Sequence, residues 1–173
     1  ITKPVITAIG TNVTCYNDAD GTITASATGD ANITVAGNPY IPTATYGPGS
    51  YLVYAEVIID GVVCSDEVTI EITQPKLVEL TTSSTNVTCF DDADGTLTIE
   101  TFDGDGTPIF YLDGVEMTET AIEAGVYANG TYIIRVEYPD GNGNPGICWA
   151  EQTEVITQPK LVELTTSSTN VTC

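Results

Sequence analysis

TQPKLVELTTSSTNVTC spans residues 73–89 and recurs, unchanged, at residues 157–173. Seventeen identical residues do not recur by chance, so the chain carries a tandem repeat. The second copy runs to Cys173 and reads as the start of a further repeat, so the expectation is a segment of a longer array. Working outward from it gives repeat 1 at 1–75, repeat 2 at 76–159, and at 160–173 the first strand of a truncated third repeat. Pro75 and Pro159 mark the joints, because proline fixes φ and offers no N–H to continue a ladder.

Between the joints the dominant period is two. In GTITASAT (21–28), Ile23, Ala25 and Ala27 fall on one face and threonines on the other; GTLTIET (95–101) repeats the pattern. GSYLVYAEV (49–57) puts Tyr51, Val53, Ala55 and Val57 on one side. GTYIIRVEY (130–138) puts Tyr132, Ile134, Val136 and Tyr138 inward, with Arg135 and Glu137 outward. VTIEIT (68–73) and TEVIT (153–157) close the units, and no segment has a convincing helical period. Short strands separated by Gly, Pro, Asn and Asp turns predict an all-β fold. The expected architecture is tandem immunoglobulin-like β-sandwich repeats arranged end to end.

The five cysteines fall into two classes. Cys15, Cys89 and Cys173 each end a TNVTC; Cys64 and Cys148 each precede an acidic strand and a Gln-Pro pair. Every repeat thus has an early and a late cysteine. The expected bridges are Cys15–Cys64 and Cys89–Cys148, with Cys173 left for the next repeat, since one bridge per repeat propagates along an array without leftovers. Structural disulfides imply an oxidising compartment, so the expected location is extracellular or at the cell surface. The early cysteines stand 74 and then 84 residues apart, and the ten extra residues lie in turn-rich stretches, seven before the GxY strand and three after it.

Composition narrows the partners. Four Lys+Arg against 24 Asp+Glu, without histidine, give a net charge of −20. That field repels nucleic acid and anionic lipid, attracts divalent cations and keeps a crowded chain soluble. No apolar run reaches the ~20 residues that span a bilayer, and ITKPVITAIGTNVTC at the start lacks the plan of a signal peptide. Without histidine there is no Ser-His or Cys-His pair, and the reading is not an enzyme.

Two acidic motifs admit a metal. In NDADG (17–21) and DDADG (91–95), Asp18 with Asp20 and Asp92 with Asp94 alternate before a glycine, as at the start of a calcium loop. The first position of that loop falls on Tyr16 and Phe90, however, and a turn capped by Asp, with the glycine at positive φ, accounts for the same residues. Asp140, Asn142, Asn144 and Glu151 also have loop spacing, but Pro145 replaces the required glycine, and a long hairpin loop is the favoured reading.

VTC-x4-DGT, the GNPY segment (37–40), GxY-x-V, DG-x-x-C and a closing TI-x-I-x-QP together resemble the SprB repeat, a module of very large surface adhesins of gliding Bacteroidetes. The resemblance covers about 5–75 and 79–159 and the stub at 160–173. It implies export by type IX secretion and a structural or adhesive stalk in a surface filament used for gliding motility or attachment. The implied partners are neighbouring repeats and surface polysaccharide. Two further readings stay open: a carbohydrate-binding accessory module, and a pilus-like subunit polymerising by strand exchange.

Overall fold

A computed structural model describes residues 2–170. The first repeat supplies β1 (Ile6–Thr11), β2 (Gly21–Ala27), β3 (Asn32–Val35), β4 (Asn38–Pro39), β5 (Thr45–Tyr46), β6 (Gly49–Ile59) and β7 (Val62–Ile72). The second supplies β8 (Glu79–Thr85), β9 (Thr96–Asp103), β10 (Ile109–Leu112), β11 (Val115–Met117), the short helix α1 (Glu119–Glu123), β12 (Gly130–Tyr138) and β13 (Cys148–Ile156). The fold is all-β, as the period of two predicts.

Two compact units form. Unit 1 takes the residues up to Glu79 together with Phe102–Ile109 and Val136–Ala150, so it draws on both copies of the repeat. Unit 2 takes Leu80–Thr101, Phe110–Arg135 and the residues from Glu151 on.

In unit 1 the sheets run β1-β2-β5 and β4-β3-β6-β7. β6 and β7 pair antiparallel from Gly49↔Ile72 to Ile59↔Val62, around a tight Asp60-Gly61 turn. The alternation works as read: Ile23, Val35, Val53 and Ile72 meet Val13 in one buried cluster, while Thr24 and Ser26 face solvent. β1 lies alongside β7 in the same direction. The Ile6 amide donates to Asp66 Oδ2 (3.1 Å) at one end, and the Thr73 amide donates to Asn12 Oδ1 (2.9 Å) at the other.

The second repeat contributes the sheets β8-β9 and β11-β10-β12-β13. Buried residues of unit 2 include Val87, Leu97, Ile134 and Ile156, the repeat equivalents of Val13, Ile23, Val53 and Ile72. Here β8 follows β13: Gln152 Nε2 donates to the Leu80 carbonyl (3.2 Å), Thr82 Oγ1 to Glu154 Oε1 (2.6 Å) and the Thr157 amide to Asn86 Oδ1 (2.7 Å).

Two local readings change. Glu137, expected to point outward, is 9 % exposed, because the loop after β12 folds over it; a Cβ on Gly146 would stand 2.8 Å from Glu137 Oε2. A helical turn, Glu119–Glu123, arises in the lengthened stretch between Cys89 and the GxY strand of the second repeat. Thr118 caps it, its hydroxyl accepting from the Ala121 amide at 3.1 Å, and Ile122 is buried.

Candidate functional site: the cysteine loops

The two TNVTC-x4-DG loops are built almost atom for atom alike. In the first, Asp20 Oδ1 accepts from the Thr14 amide (2.8 Å), and Oδ2 accepts from the Thr14 hydroxyl. In the second, Asp94 accepts from the Thr88 amide (2.9 Å) and hydroxyl (2.6 Å). The Asp18 amide donates to the Cys15 carbonyl (3.1 Å), and the Asp92 amide to the Cys89 carbonyl (3.3 Å). Asp18 Oδ2 also accepts from the Cys15 amide at 2.9 Å. Glutamine of each Gln-Pro pair holds its own loop: the Asn17 amide donates to Gln74 Oε1 (3.0 Å) and the Asp91 amide to Gln158 Oε1 (3.2 Å).

The left-handed residue of the turn is not the glycine. Asn17 (φ 65°) and Asp91 (φ 64°) take that conformation. The glycine is required by close approach instead, since a Cβ on Gly21 would stand 2.8 Å from Ile72 Cγ2, and one on Gly95 would stand 2.8 Å from Ile156 Cγ2. Hydrogen bonds from the Thr14 and Thr88 side chains, then from their amides, hold the Asp20 and Asp94 carboxyls below their ordinary pKa. Three of the four candidate metal carboxylates, Asp18, Asp20 and Asp94, thus lock their own loops; Asp92 enters through its amide. Among the described residues, no three His, Cys, Asp or Glu side chains converge as a metal cluster.

Cys15 bonds Cys148, with Sγ–Sγ 2.09 Å, Cα–Cα 5.6 Å and a sequence separation of 133. This corrects the expected Cys15–Cys64 and Cys89–Cys148 bridges, and Cys64 and Cys89 are free thiols. The reason is strand direction. β1 and β7 run the same way, so Cys15, just past the Asn12–Thr73 contact, and Cys64, just before Asp66, sit at opposite ends of β7. Nine steps along the strand separate Cys64 from Thr73, roughly 30 Å at the rise of a strand. A disulfide tolerates a Cα separation of only about 7 Å. The same offset along β13 parts Cys148 from Thr157, beside which the Cys89 loop begins. Cys173 lies outside the described residues.

The partner of Cys15 arrives on the three-residue insertion. Residues 139–147 form the loop between β12 and β13, organised by Asp140, whose Oδ1 accepts from the amides of Asn142 (2.9 Å) and Asn144 (2.7 Å). Burial pushes the Asp140 carboxyl up, but these bonds and that from the Asn144 side chain outweigh it and leave its pKa lowered. So the long hairpin loop expected here is present. It clamps the first cysteine loop. The Gly141 amide donates to the Thr14 carbonyl (2.9 Å), Asn12 Nδ2 to the Gly141 carbonyl (3.2 Å) and Asn142 Nδ2 to the Asn12 carbonyl (3.1 Å). A Cβ on Gly141 would stand 2.3 Å from the Val13 carbonyl oxygen, so glycine is required at the contact.

Beside the disulfide is an open groove lined by Tyr16, Lys76, Leu77, Ile147 and Trp149 together with both bonded cysteines. Trp149 is 53 % exposed and Tyr16 41 %. Lys76, on the joint, donates its amide to Asp105 Oδ2 (2.8 Å) and sets its ammonium 3.3 Å from Asp103. Sequence reasoning gave no site role to Gln74 or Trp149, saw no structural part for Asn12, and weighed Asp140 only as a position of a calcium-type loop; the signal available was the insertion beside one late cysteine and not the other. No helix among the described residues is long and apolar enough to cross a membrane.

No curated protein and no solved structure matches the chain. The family model described as SprB repeat matches residues 7–37 and again residues 81–112, so each match takes in one of the two cysteine loops and the strand that follows it. Each of the two tandem repeats of this chain therefore contains a segment similar to the SprB repeat.

Proposed function

We propose that the chain is a stalk segment of an extracellular surface adhesin or gliding-motility filament, a structural module with no catalytic role. The observation that carries this reading is the duplicated SprB match, with the same loop rebuilt in both repeats. An immunoglobulin-like module is the form proposed for it. Tyr51 and Tyr132 support this, since each donates its hydroxyl to a carbonyl four residues upstream, Gly47 (2.9 Å) and Ala128 (3.0 Å), as a tyrosine corner does. The Cys15–Cys148 disulfide supports an oxidising, exported location. An antibody against the chain should label intact cells of the producing bacterium, and external protease should remove the label without lysis. Label reached only after lysis would defeat the proposal.

One observation favours adhesion over simple spacing. The groove exposes Trp149 and Tyr16 together, a surface on which sugar rings stack through their C–H faces. Electrophoresis through gels containing surface polysaccharide separates the two roles. Retardation abolished by Trp149→Ala means a binding face, and migration unaffected by polysaccharide means a spacer.

A further inference from the structure

The disulfide and the two free thiols follow one rule. Cys15 is an early cysteine and its partner, Cys148, is the late cysteine of the next repeat. Shifted by one repeat, the rule gives Cys89 a late cysteine from a repeat that follows, and Cys64 an early cysteine from a repeat that precedes. We infer that Cys89 and Cys64 are complementary halves of a second, inter-repeat disulfide, Cys89 bonding the late cysteine of a repeat that follows and Cys64 the early cysteine of one that precedes; two copies of this chain bring the two halves together, Cys89 of one copy bonding Cys64 of the next.

The Cys89 loop is prepared for this. Its thiol is exposed, and the groups around it repeat those around Cys15: Asp94 on Thr88, Asp92 on the Cys89 carbonyl, Gln158 on Asp91 and Asn86 on Thr157. The equivalent loop in the same molecule is occupied by a late cysteine and bonded to it. Cys64 is half-buried on β7, opposite Val57, close to the Asp60-Gly61 turn. It lacks the three inserted residues that let the 139–147 loop clamp its target, so its bond should form more slowly than Cys15–Cys148.

The step balances by thiol–disulfide exchange with a low-molecular-weight disulfide such as oxidised glutathione. The Cys89 thiolate attacks it and releases one glutathione thiolate. The Cys64 thiolate of the second copy then attacks the Cys89 sulfur and releases the other. One glutathione disulfide is reduced to two thiols, which take up the two protons, and one protein disulfide is formed. The inference deepens the stalk reading and rests on it only in taking repeats to be joined in series. Its test is separate, because failure to couple leaves surface labelling unchanged.

The test uses the full chain carrying Cys173→Ser, which removes the third early-class thiol, incubated with oxidised glutathione. Added Cys64→Ser or Cys89→Ser should each abolish covalent dimers, whereas an equal mixture of the two should give a dimer and nothing longer. The chain with both thiols should give a ladder, and peptide mapping should find Cys89 joined to Cys64 with Cys15–Cys148 intact. Dimers from either single variant alone, an intramolecular Cys64–Cys89 bond, or a mixture that ends as glutathione adducts would overturn the inference. Should a serine variant lose Cys15–Cys148, Cys64→Ala and Cys89→Ala repeat the experiment with the same outcomes.

Discussion

The loops at 12–21 and 86–95 share eight of ten residues, the left-handed turn residue and their main hydrogen bonds, yet one is clamped and covalently bonded and the other carries a free thiol. The comparison separates two things that a disulfide usually confounds. The loop's shape comes from Asp on Thr, Gln on the turn amide and Asn on the closing strand, all of which are present without the bond. The bond adds a tie to a distant segment. It does not make the loop.

The largest effect should therefore come from the cysteines, and from one loop only. In the chain-entropy model, closing 133 residues is worth about 5 kcal/mol, and loss of a native disulfide commonly costs about 2–5 kcal/mol. Cys15→Ser should fall in that range by denaturant unfolding, and Cys89→Ser should stay within about 0.5 kcal/mol of the parent. Equal losses would erase the distinction. Next comes the clamp. Gly141→Ala forces a methyl against the Val13 carbonyl and should cost about 1–3 kcal/mol while slowing formation of Cys15–Cys148 on refolding. Unchanged refolding would mean that the loop does not guide the bond.

A smaller, pH-dependent effect should appear equally in both loops. The Asp20 and Asp94 carboxyls lie below the ordinary 3.8 when folded, held first by the threonine hydroxyls and then by the threonine amides. A depressed folded pKa gives stability that is full above the unfolded value and is lost as pH falls through the folded one. Asp20→Asn and Asp94→Asn should each flatten the loss of stability below about pH 4, and a change confined to Asp20 would tie the carboxylate's role to the bonded loop. The smallest effect is that of calcium. If the ion binds NDADG and DDADG, millimolar calcium should raise Tm slightly and Asp20→Ala with Asp94→Ala should remove the rise. Identical melting in EDTA and in calcium would leave both motifs as turns.

Most of the scaffold was legible in the sequence because side-chain alternation and duplication are local signals. Ile23, Val53 and Ile134 are buried where the period of two puts them. The disulfide was not legible, because spacing along a chain is silent about which way two strands run. Once β1 and β7 run the same way, early and late cysteines of one repeat sit at opposite ends of a strand, and only a partner from another repeat can reach. A pairing offset by one repeat propagates along an array as well as a pairing within repeats, so elimination by leftovers could not choose. Glu137 escaped for a different reason: alternation places it outward, and the lengthened loop that follows its own strand covers it. α1 has five residues, too few to show a helical period.

Cys15 and Cys148 also define how tension would travel. A chain pulled from residues before 15 and after 148 carries the load through one S–S bond, and the intervening residues 16–147 are bypassed by it. At about 3.5 Å per extended residue, roughly 450 Å of contour is held as slack that stretching alone does not release. Reduction releases it. A tether built this way is short and stiff in an oxidising medium and becomes a long, yielding line wherever thiols reach it.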